Sequence, residues 1–305
     1  MIVTMECLFL LLGFVVSAYG QTTVLDVLRR YHDTTLYSLI QTAGLDTALS
    51  GTGPFTVFAP SNTAFLRSHV SLTSLKSDPA ALAQLLKLHV VSGKLMLNDL
   101  KVNEKTLTAL SGETIRVNYY MYYNRVTVDG AYINSPNHVA SNGVVHMIDH
   151  LMLPPNGSIP DILASTPELS TLNAAIQAAG LGPALAEGPF TLFAPTNAAF
   201  NSLGNATVQA LLADTELLKS ILLYHVIHGT LYTRGMHSGS LNTLEAVDRE
   251  HLLASSSSVS TGTPSVDRQR ITKRDVSASN GVIHEISHVL IPASFRDAVS
   301  SLITP

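Results

Sequence analysis

Apolar residues in this chain recur at helical spacing early and alternate later, and the whole pattern runs twice. Val24, Leu25 and Leu28, then Leu36, Leu39 and Ile40, fall at the three-and-four-residue spacing of a helix face. Gly44 is a predicted C-cap, since a glycine accepts the left-handed conformation that closes a helix. Phe55–Ala59 reads as a short apolar strand, and Ser61 after Pro60 is a fitting N-cap for the next helix. Asp78-Pro79 supplies the N-cap and first position of a longer helix, with Leu82, Leu85, Leu86 and His89 on one face. Thr114–Tyr119 and Arg125–Val128 alternate around a turn, and Val144–Leu153 reads as a closing strand. The second half repeats this order with Ile162 and Leu163, then Leu172, Ala175 and Ile176, the cap Gly180, the strand Phe190–Ala194, the N-cap Thr196, and Leu218, Ile221, Leu222 and His225. Helices first and strands later imply an α+β domain.

Three anchors make the repeat explicit. Phe55-Thr-Val-Phe-Ala-Pro-Ser-Asn-Thr-Ala-Phe65 returns as Phe190-Thr-Leu-Phe-Ala-Pro-Thr-Asn-Ala-Ala-Phe200. Leu88-His89-Val90 returns as Tyr224-His225-Val226, and Ser141-Asn-Gly-Val-Val-His146 as Ser279-Asn-Gly-Val-Ile-His284. The same order at nearly constant offset means two copies of one domain. The period is far longer than a solenoid repeat, so each copy should have its own core. The predicted organisation is a leader over 1–20, a first domain over 21–154, a linker over 155–158, a second domain over 159–292 and a tail over 293–305.

Composition narrows the function. The 305 residues are 46% apolar and only 13% charged, enough for a real core and unlike a disordered chain. The net charge of −4 argues against a strong nucleic-acid binder, which needs a basic surplus. Leu8–Val16 is too short to span a bilayer and leads into the small residues Ala18-Tyr19-Gly20, so it reads as a secretory signal; the n-region, with Glu6 and no basic residue, is atypical. The single cysteine, Cys7, falls inside it, which rules out a disulfide framework and a Cys-rich zinc site. No apolar tail of a lipid anchor follows Ser294, so a free secreted protein with no membrane anchor is expected. Asn156-Gly-Ser and Asn205-Ala-Thr are candidate glycosylation sequons, Asn156 lying in turn chemistry beside Pro154-Pro155.

The segments Thr56–Phe65 and Asn142–Asp149, with their second-copy counterparts, resemble the two signature boxes of the fasciclin domain. The resemblance covers residues 22 to 292. It implies two tandem fasciclin-like domains, each a wedge-shaped β-sandwich with a helical subdomain. Tandem members of that family are extracellular adhesion and matrix proteins, although this chain has no cysteine-rich module. The resemblance also implies an integrin-type contact at an acidic-aliphatic motif five residues before the second box's Asn-Gly. That position holds Asp275-Val276 here and Asn137 in the first copy. A carboxylate there could complete the shell of a receptor-held metal ion; an ordinary loop role is the alternative. The family's Tyr-His pair is present only in the second copy, as Tyr224-His225, and His225 sits on an apolar helix face, which favours a core role. Pro160-Asp161-Ile162 imitates the acidic motif but belongs to an opening helix.

Other chemistry is sparse. His146-x-x-x-His150 and His284-x-x-x-His288 would suit zinc on a helix. On a strand such residues lie about 13 Å apart, too far to share one ion. The Val/Ile-rich context predicts a strand, with His146 and His284 hydrogen-bonded across the core and no metal. No nucleophile elbow, phosphate loop or dinucleotide fingerprint is present, so an enzyme is not expected and no cofactor is implied. Tyr119, Tyr120, Tyr122 and Tyr123 cluster near a predicted hairpin tip as a candidate partner surface; cross-strand packing is the alternative. The function that the fasciclin resemblance implies is cell adhesion or matrix assembly, with a cell-surface receptor or matrix proteins as partners. A carrier of a carotenoid-like molecule is the alternative.

Overall fold

The computed structural model describes residues 22–31, 34–68, 70–236, 239–242, 251–255 and 264–303. The expected leader over 1–20 and most of the polar stretch after Ser255 lie outside those residues.

Local chemistry sets each boundary in the first copy. Helix α1 (Val24–Arg30) starts in a capping box: the Asp26 carboxylate accepts from Thr23 N at 2.9 Å and the Thr23 hydroxyl accepts from Asp26 N. Helix α2 (Thr34–Thr42) ends in a Schellman closure, with Gly44 N donating to Gln41 O and Leu45 N to Ile40 O, each at 3.1 Å. Gly44 has φ +66°, as its C-cap reading requires. Helix α3 (Asp46–Leu49) and strand β1 (Phe55–Pro60) follow. Ser61 caps α4 (Asn62–Arg67), and after α5 (Leu72–Ser77) Asp78 caps α6 (Pro79–Leu88) with Pro79 inside the first turn. Strands β2 (Val90–Ser92), β3 (Lys105–Thr108), β4 (Thr114–Tyr120), β5 (Arg125–Val128), β6 (Ala131–Ala140) and β7 (Gly143–Ile148) complete the copy.

The second copy repeats the series. Helices α7 (Ile159–Ser165), α8 (Ser170–Ala178) and α9 (Gly182–Glu187) precede β8 (Phe190–Pro195). Helices α10 (Asn197–Asn201), α11 (Asn205–Ala213) and α12 (Thr215–Tyr224) lead to β9 (Val226–His228). Strands β10 (Gly239–Asn242), β11 (His251–Ser255), β12 (Ser265–Val266), β13 (Gln269–Ala278) and β14 (Gly281–Ile286) follow, then α13 (Arg296–Ile303). Strand order is β2-β1-β7-β6-β5-β4-β3 in one copy and β9-β8-β14-β13-β12-β11-β10 in the other, the same path traced twice. The α+β class read from the sequence is what forms. The closing strand is shorter than expected, ending at Ile148 and not Leu153. Its parallel partner β1 stops at Pro60, so Ser61 N to Ile148 O at 3.2 Å is the last rung.

The chain divides into two compact units. Of the described residues, one unit holds those up to Asp99, Thr108–Glu113 and Ile133–Leu151; the other holds Leu100–Leu107, Thr114–Tyr132 and those from Met152 onward. The core of the first gathers Leu28, Leu36, Leu39, Val57, Leu82 and Val145. The second has one core around Ile159, Leu172, Leu192, Ile221 and Ile283, and another around Phe193, Tyr224, Leu252 and Ile286.

Candidate partner-binding surface

The residues that make the signature boxes recognisable are consumed by folding. Asn142 Oδ1 accepts from Val24 N at 2.9 Å, and its Nδ2 donates to Leu49 O at 2.8 Å and Gly51 O at 2.9 Å. One side chain thus ties the start of α1 to the end of α3. Asn280 does the same for Ile159 N and Leu185 O, at 2.8 Å each. Thr56 Oγ1 donates to Gly93 O and accepts from Leu95 N; Thr191 repeats this with Gly229 O and Leu231 N. Asn62 and Asn197 hold the first turns of α2 and α8 through Thr35 N and Thr171 N.

The buried histidines behave likewise. His225 Nε2 accepts from Leu290 N at 2.9 Å, so its proton sits on Nδ1 and is donated to Ile221 O at 2.7 Å. His89 makes the matching Nδ1 bond to Leu85 O at 2.8 Å. Burial pushes both imidazoles down to about 4. His146 and His284 use the opposite tautomer: Nδ1 accepts from Asn137 N and Asp275 N, and Nε2–H donates to Leu95 O and Leu231 O. Both lie on strands and bond inward, as expected, and burial lowers both pKa values. With both ring nitrogens engaged, neither is offered to a metal. Among the described residues no group of three His, Cys, Asp or Glu side chains is placed to hold one.

The candidate receptor residues are placed as follows. Tyr224 is buried and donates its hydroxyl to Asp267 Oδ2 at 2.8 Å, and His225 beside it is fully buried. Asp275 sits at a left-handed position, φ +59°, with a side chain 26% exposed. Its Oδ1 accepts from Thr233 N at 2.7 Å and its Oδ2 from the Thr233 hydroxyl. Asn137 does the same work in the first copy, accepting from Leu97 N at 2.8 Å. The carboxylate therefore pins the loop after β9, and Val276 beside it packs against the core. Asp275→Asn should keep stability within about 1 kcal/mol, because an acceptor and the left-handed preference survive, whereas Asp275→Ala should cost roughly 2 kcal/mol. Urea titration of both variants checks this; equal losses would contradict it.

The four tyrosines do not form one patch. Tyr120 turns inward, its hydroxyl accepting from Tyr232 N at 3.0 Å, and burial pushes its pKa up. Tyr119 donates to Asn124 Oδ1 at 3.1 Å, and Lys101 Nζ lies 5.9 Å from its ring. Tyr122 stands edge-on to Tyr123 at 4.8 Å, and the Arg125 guanidinium stacks 4.7 Å from Tyr123 and 5.4 Å from Tyr132. What reaches solvent is the tip: Met121 is 79% and Tyr122 74% exposed. Left-handed Asn124, φ +49°, closes this turn.

Beneath the tip lies a cluster that the sequence did not announce. Glu104 Oε1 accepts from Thr230 N at 2.6 Å and Thr230 Oγ1 at 2.8 Å, while its Oε2 pairs with Arg116 at 3.2 Å. Asn118 Nδ2 donates to the same Glu104 at 2.9 Å. Nearby, Asp129 Oδ1 accepts from Arg116 N at 2.8 Å, and burial raises its carboxyl to about 7 despite that bond. The Asp129-Gly130 pair could have been read as a hairpin turn; the partners of Glu104 could not, since Thr230 is 126 residues away.

Cavities are small. An apolar one of about 70 Å³ lies among Leu36, Ile40, Leu49, Val57, Leu86 and Val90. That is well below the ~300–1,000 Å³ of ordinary ligand pockets. A polar cleft of about 280 Å³ is lined by Asp26, Arg29, Tyr37 and Asp46. Asn156 and Asn205 are both exposed.

The repeated strand path and the two boxes define the class: the chain belongs to the fasciclin domain family, which it matches over residues 32–154 and 167–292. It is 32% identical over 260 residues to the transforming growth factor-beta-induced protein ig-h3 of Sus scrofa, covering 84% of this chain and 37% of that protein. It is 30% identical over 261 residues to human periostin, covering 85% of this chain and 30% of periostin. Human stabilin-1 matches at 31% over 264 residues, 80% of this chain and 10% of stabilin-1. The chain thus spans about a third or less of these relatives. No helix among the described residues is long and apolar enough to cross a membrane.

Proposed function

We propose that this protein is a secreted adhesion or matrix protein that engages a cell-surface receptor or matrix partner through the Met121–Tyr122 tip. The observation that carries this reading is the tip itself: a thioether and a phenol, mostly in water, on a hairpin whose base is fixed by the Glu104, Arg116 and Asn118 network. A rigidly held aromatic next to a flexible apolar side chain is the composition of a contact hot spot. Secretion by the 1–20 leader and glycans at Asn156 and Asn205 belong to the same reading. An integrin-type contact at Asp275-Val276 is the second reading; it requires the carboxylate to leave Thr233 for a receptor-held cation.

Cell attachment to the purified protein separates the two. The tip reading expects attachment that survives EDTA and falls at least about fivefold in M121S/Y122S, the loss of roughly 1 kcal/mol or more that a hot spot implies. Attachment abolished by EDTA and by Asp275→Asn, but unchanged in M121S/Y122S, would transfer the site to Asp275.

A further inference from the structure

Charge in this chain is scarce but unevenly placed. Arg268, Arg270, Lys273 and Arg274 are four of its 18 basic residues, and all fall within the turn before β13 and the strand itself. All four are exposed. An ordinary strand would turn Lys273 and Arg274 to opposite faces. Here the register with β14 slips twice, between Ile271 and Lys273 and again between Lys273 and Val276. The two bulges leave Thr272, Lys273 and Arg274 all facing water while Ile271 stays in the core.

The first copy shows what this strand is without the charge. Strand β6 slips at the matching points, between Ile133 and Ser135 and between Ser135 and His138. Its residues at the four basic positions are Gly130, Tyr132, Ser135 and Pro136. The bulged backbone is common to both copies; the cations are confined to one.

The acidic neighbours lie deeper, and two of the three are committed elsewhere. Asp267 accepts from Tyr224, Asp275 from Thr233, and Glu285 pairs with Lys273 at 3.0 Å. The Glu285 side chain is 11% exposed against 60% for Lys273. Carboxylates below and cations above present an outward positive face.

We propose that strand β13 and its preceding turn bind a sulfated polysaccharide, with Arg268, Arg270, Lys273 and Arg274 as the contacts. Guanidinium forks match the paired oxygens of a sulfate as they match phosphate, and three of the four are arginines. The row extends about 20 Å at ~3.3 Å per residue, which suits a linear chain carrying charge at intervals. A nucleic acid is disfavoured because no aromatic side chain lies among the cations to stack on a base. A membrane is disfavoured because no exposed apolar residue lies among the cations to enter it, Ile271 being buried. The face is separate from the Met121–Tyr122 tip, so the two can fail independently.

The test uses the full-length protein on immobilised heparin. Three or four contacts, each releasing ~0.7 counterion, predict an affinity that falls roughly 20- to 50-fold between 50 and 200 mM salt. R268Q/R270Q/R274Q should lose about tenfold or more and flatten that dependence. R268K/R270K/R274K, which keeps the charge, should retain the salt slope with weaker binding, and remains informative if the glutamine variant does not fold. M121S/Y122S should bind as the parent does, and desulfated heparin should not be retained. Failure of the parent protein to bind heparin at 50 mM salt would overturn the proposal. So would undiminished binding by a folded glutamine variant, or equal binding to desulfated heparin. Capture by phosphatidylserine vesicles without heparin binding would overturn it in favour of a lipid surface.

Discussion

Gly281→Ala is expected to lower stability by roughly 3–5 kcal/mol, the range of severe overpacking. A Cβ on Gly281 would stand 2.1 Å from Phe190 O and 2.8 Å from Ile159 Cδ1. Neither neighbour can retreat. Phe190 is the register partner of Gly281 in the β8–β14 pairing, and its N–H is bonded to Asn280 O at 3.1 Å. Ile159 is fully buried at the start of α7, held there by Asn280 Oδ1. Relieving the clash means parting two central parallel strands and undoing the asparagine bridge beside them. Gly204→Ala is the control. It has φ +83° and ψ 142°, backbone that glycine alone adopts readily, but nothing within 4 Å of a new Cβ, so only a backbone penalty of about 1–3 kcal/mol applies. Urea unfolding of both variants measures the difference. A loss for Gly281→Ala no larger than for Gly204→Ala would refute the argument.

Acidification should destabilise the protein well before its ordinary carboxylates titrate. His89 and His225 have folded pKa values depressed to about 4 by burial, against an unfolded value near 6.5. The unfolded chain therefore takes up protons that the folded chain refuses. Their stabilisation is complete above pH 6.5 and is lost as pH falls toward 4. Linkage gives about 2 kcal/mol per histidine at pH 5, roughly 4 together. His146 and His284 act in the same direction. Asp129 acts in the opposite one. Its folded pKa near 7 means that protonation favours the folded state, so its contribution is greatest at low pH and declines as pH rises through 7. The residue is half-buried, and screening limits that contribution to roughly 1–3 kcal/mol. Thermal melts at pH 5 and pH 8 should differ by about 10 °C, with pH 5 lower. Asp129→Asn, which keeps the acceptor for Arg116 N, should raise the melting temperature at pH 8 and widen the gap. Equal melting of Asp129→Asn at the two pH values would exclude buried neutral histidines as a major term.

What could be read from the chain beforehand follows from the range of the interactions involved. Gly44, Gly180, Ser61 and Asp78 act within a few residues of themselves, and their caps form as expected. Burial of Leu82, Leu85, Leu86 and His89 followed from helix spacing. Asn142 and Asn280 were visible as motif members, but their bonds reach back more than ninety residues to Leu49 and Leu185, and no local pattern encodes that. The parallel pairing of β1 with β7 was hidden for the same reason. At the candidate surface, composition exposed the tyrosine cluster but could not divide it into inward Tyr120 and outward Tyr122, because the short helical turn Met121–Tyr123 breaks the alternation that a plain hairpin would keep. The carboxylate of Asp275 was seen, but Thr233, which occupies it, was not.

The partition of the chain also bears on how such proteins can be inherited and dissected. Duplication copies a contiguous stretch of sequence, yet the larger compact unit takes Leu100–Leu107 and Thr114–Tyr132 from one copy and joins them to the other. Inside that unit a Cβ on Gly130 would strike the Tyr232 ring at 2.4 Å, and one on Gly235 would strike the Tyr120 ring at 2.0 Å. Each copy supplies the glycine that makes room for the other's tyrosine. Gene fragments cut at the repeat boundary would separate these reciprocal fits, so the segment that evolution doubled is smaller than the one that must be kept whole.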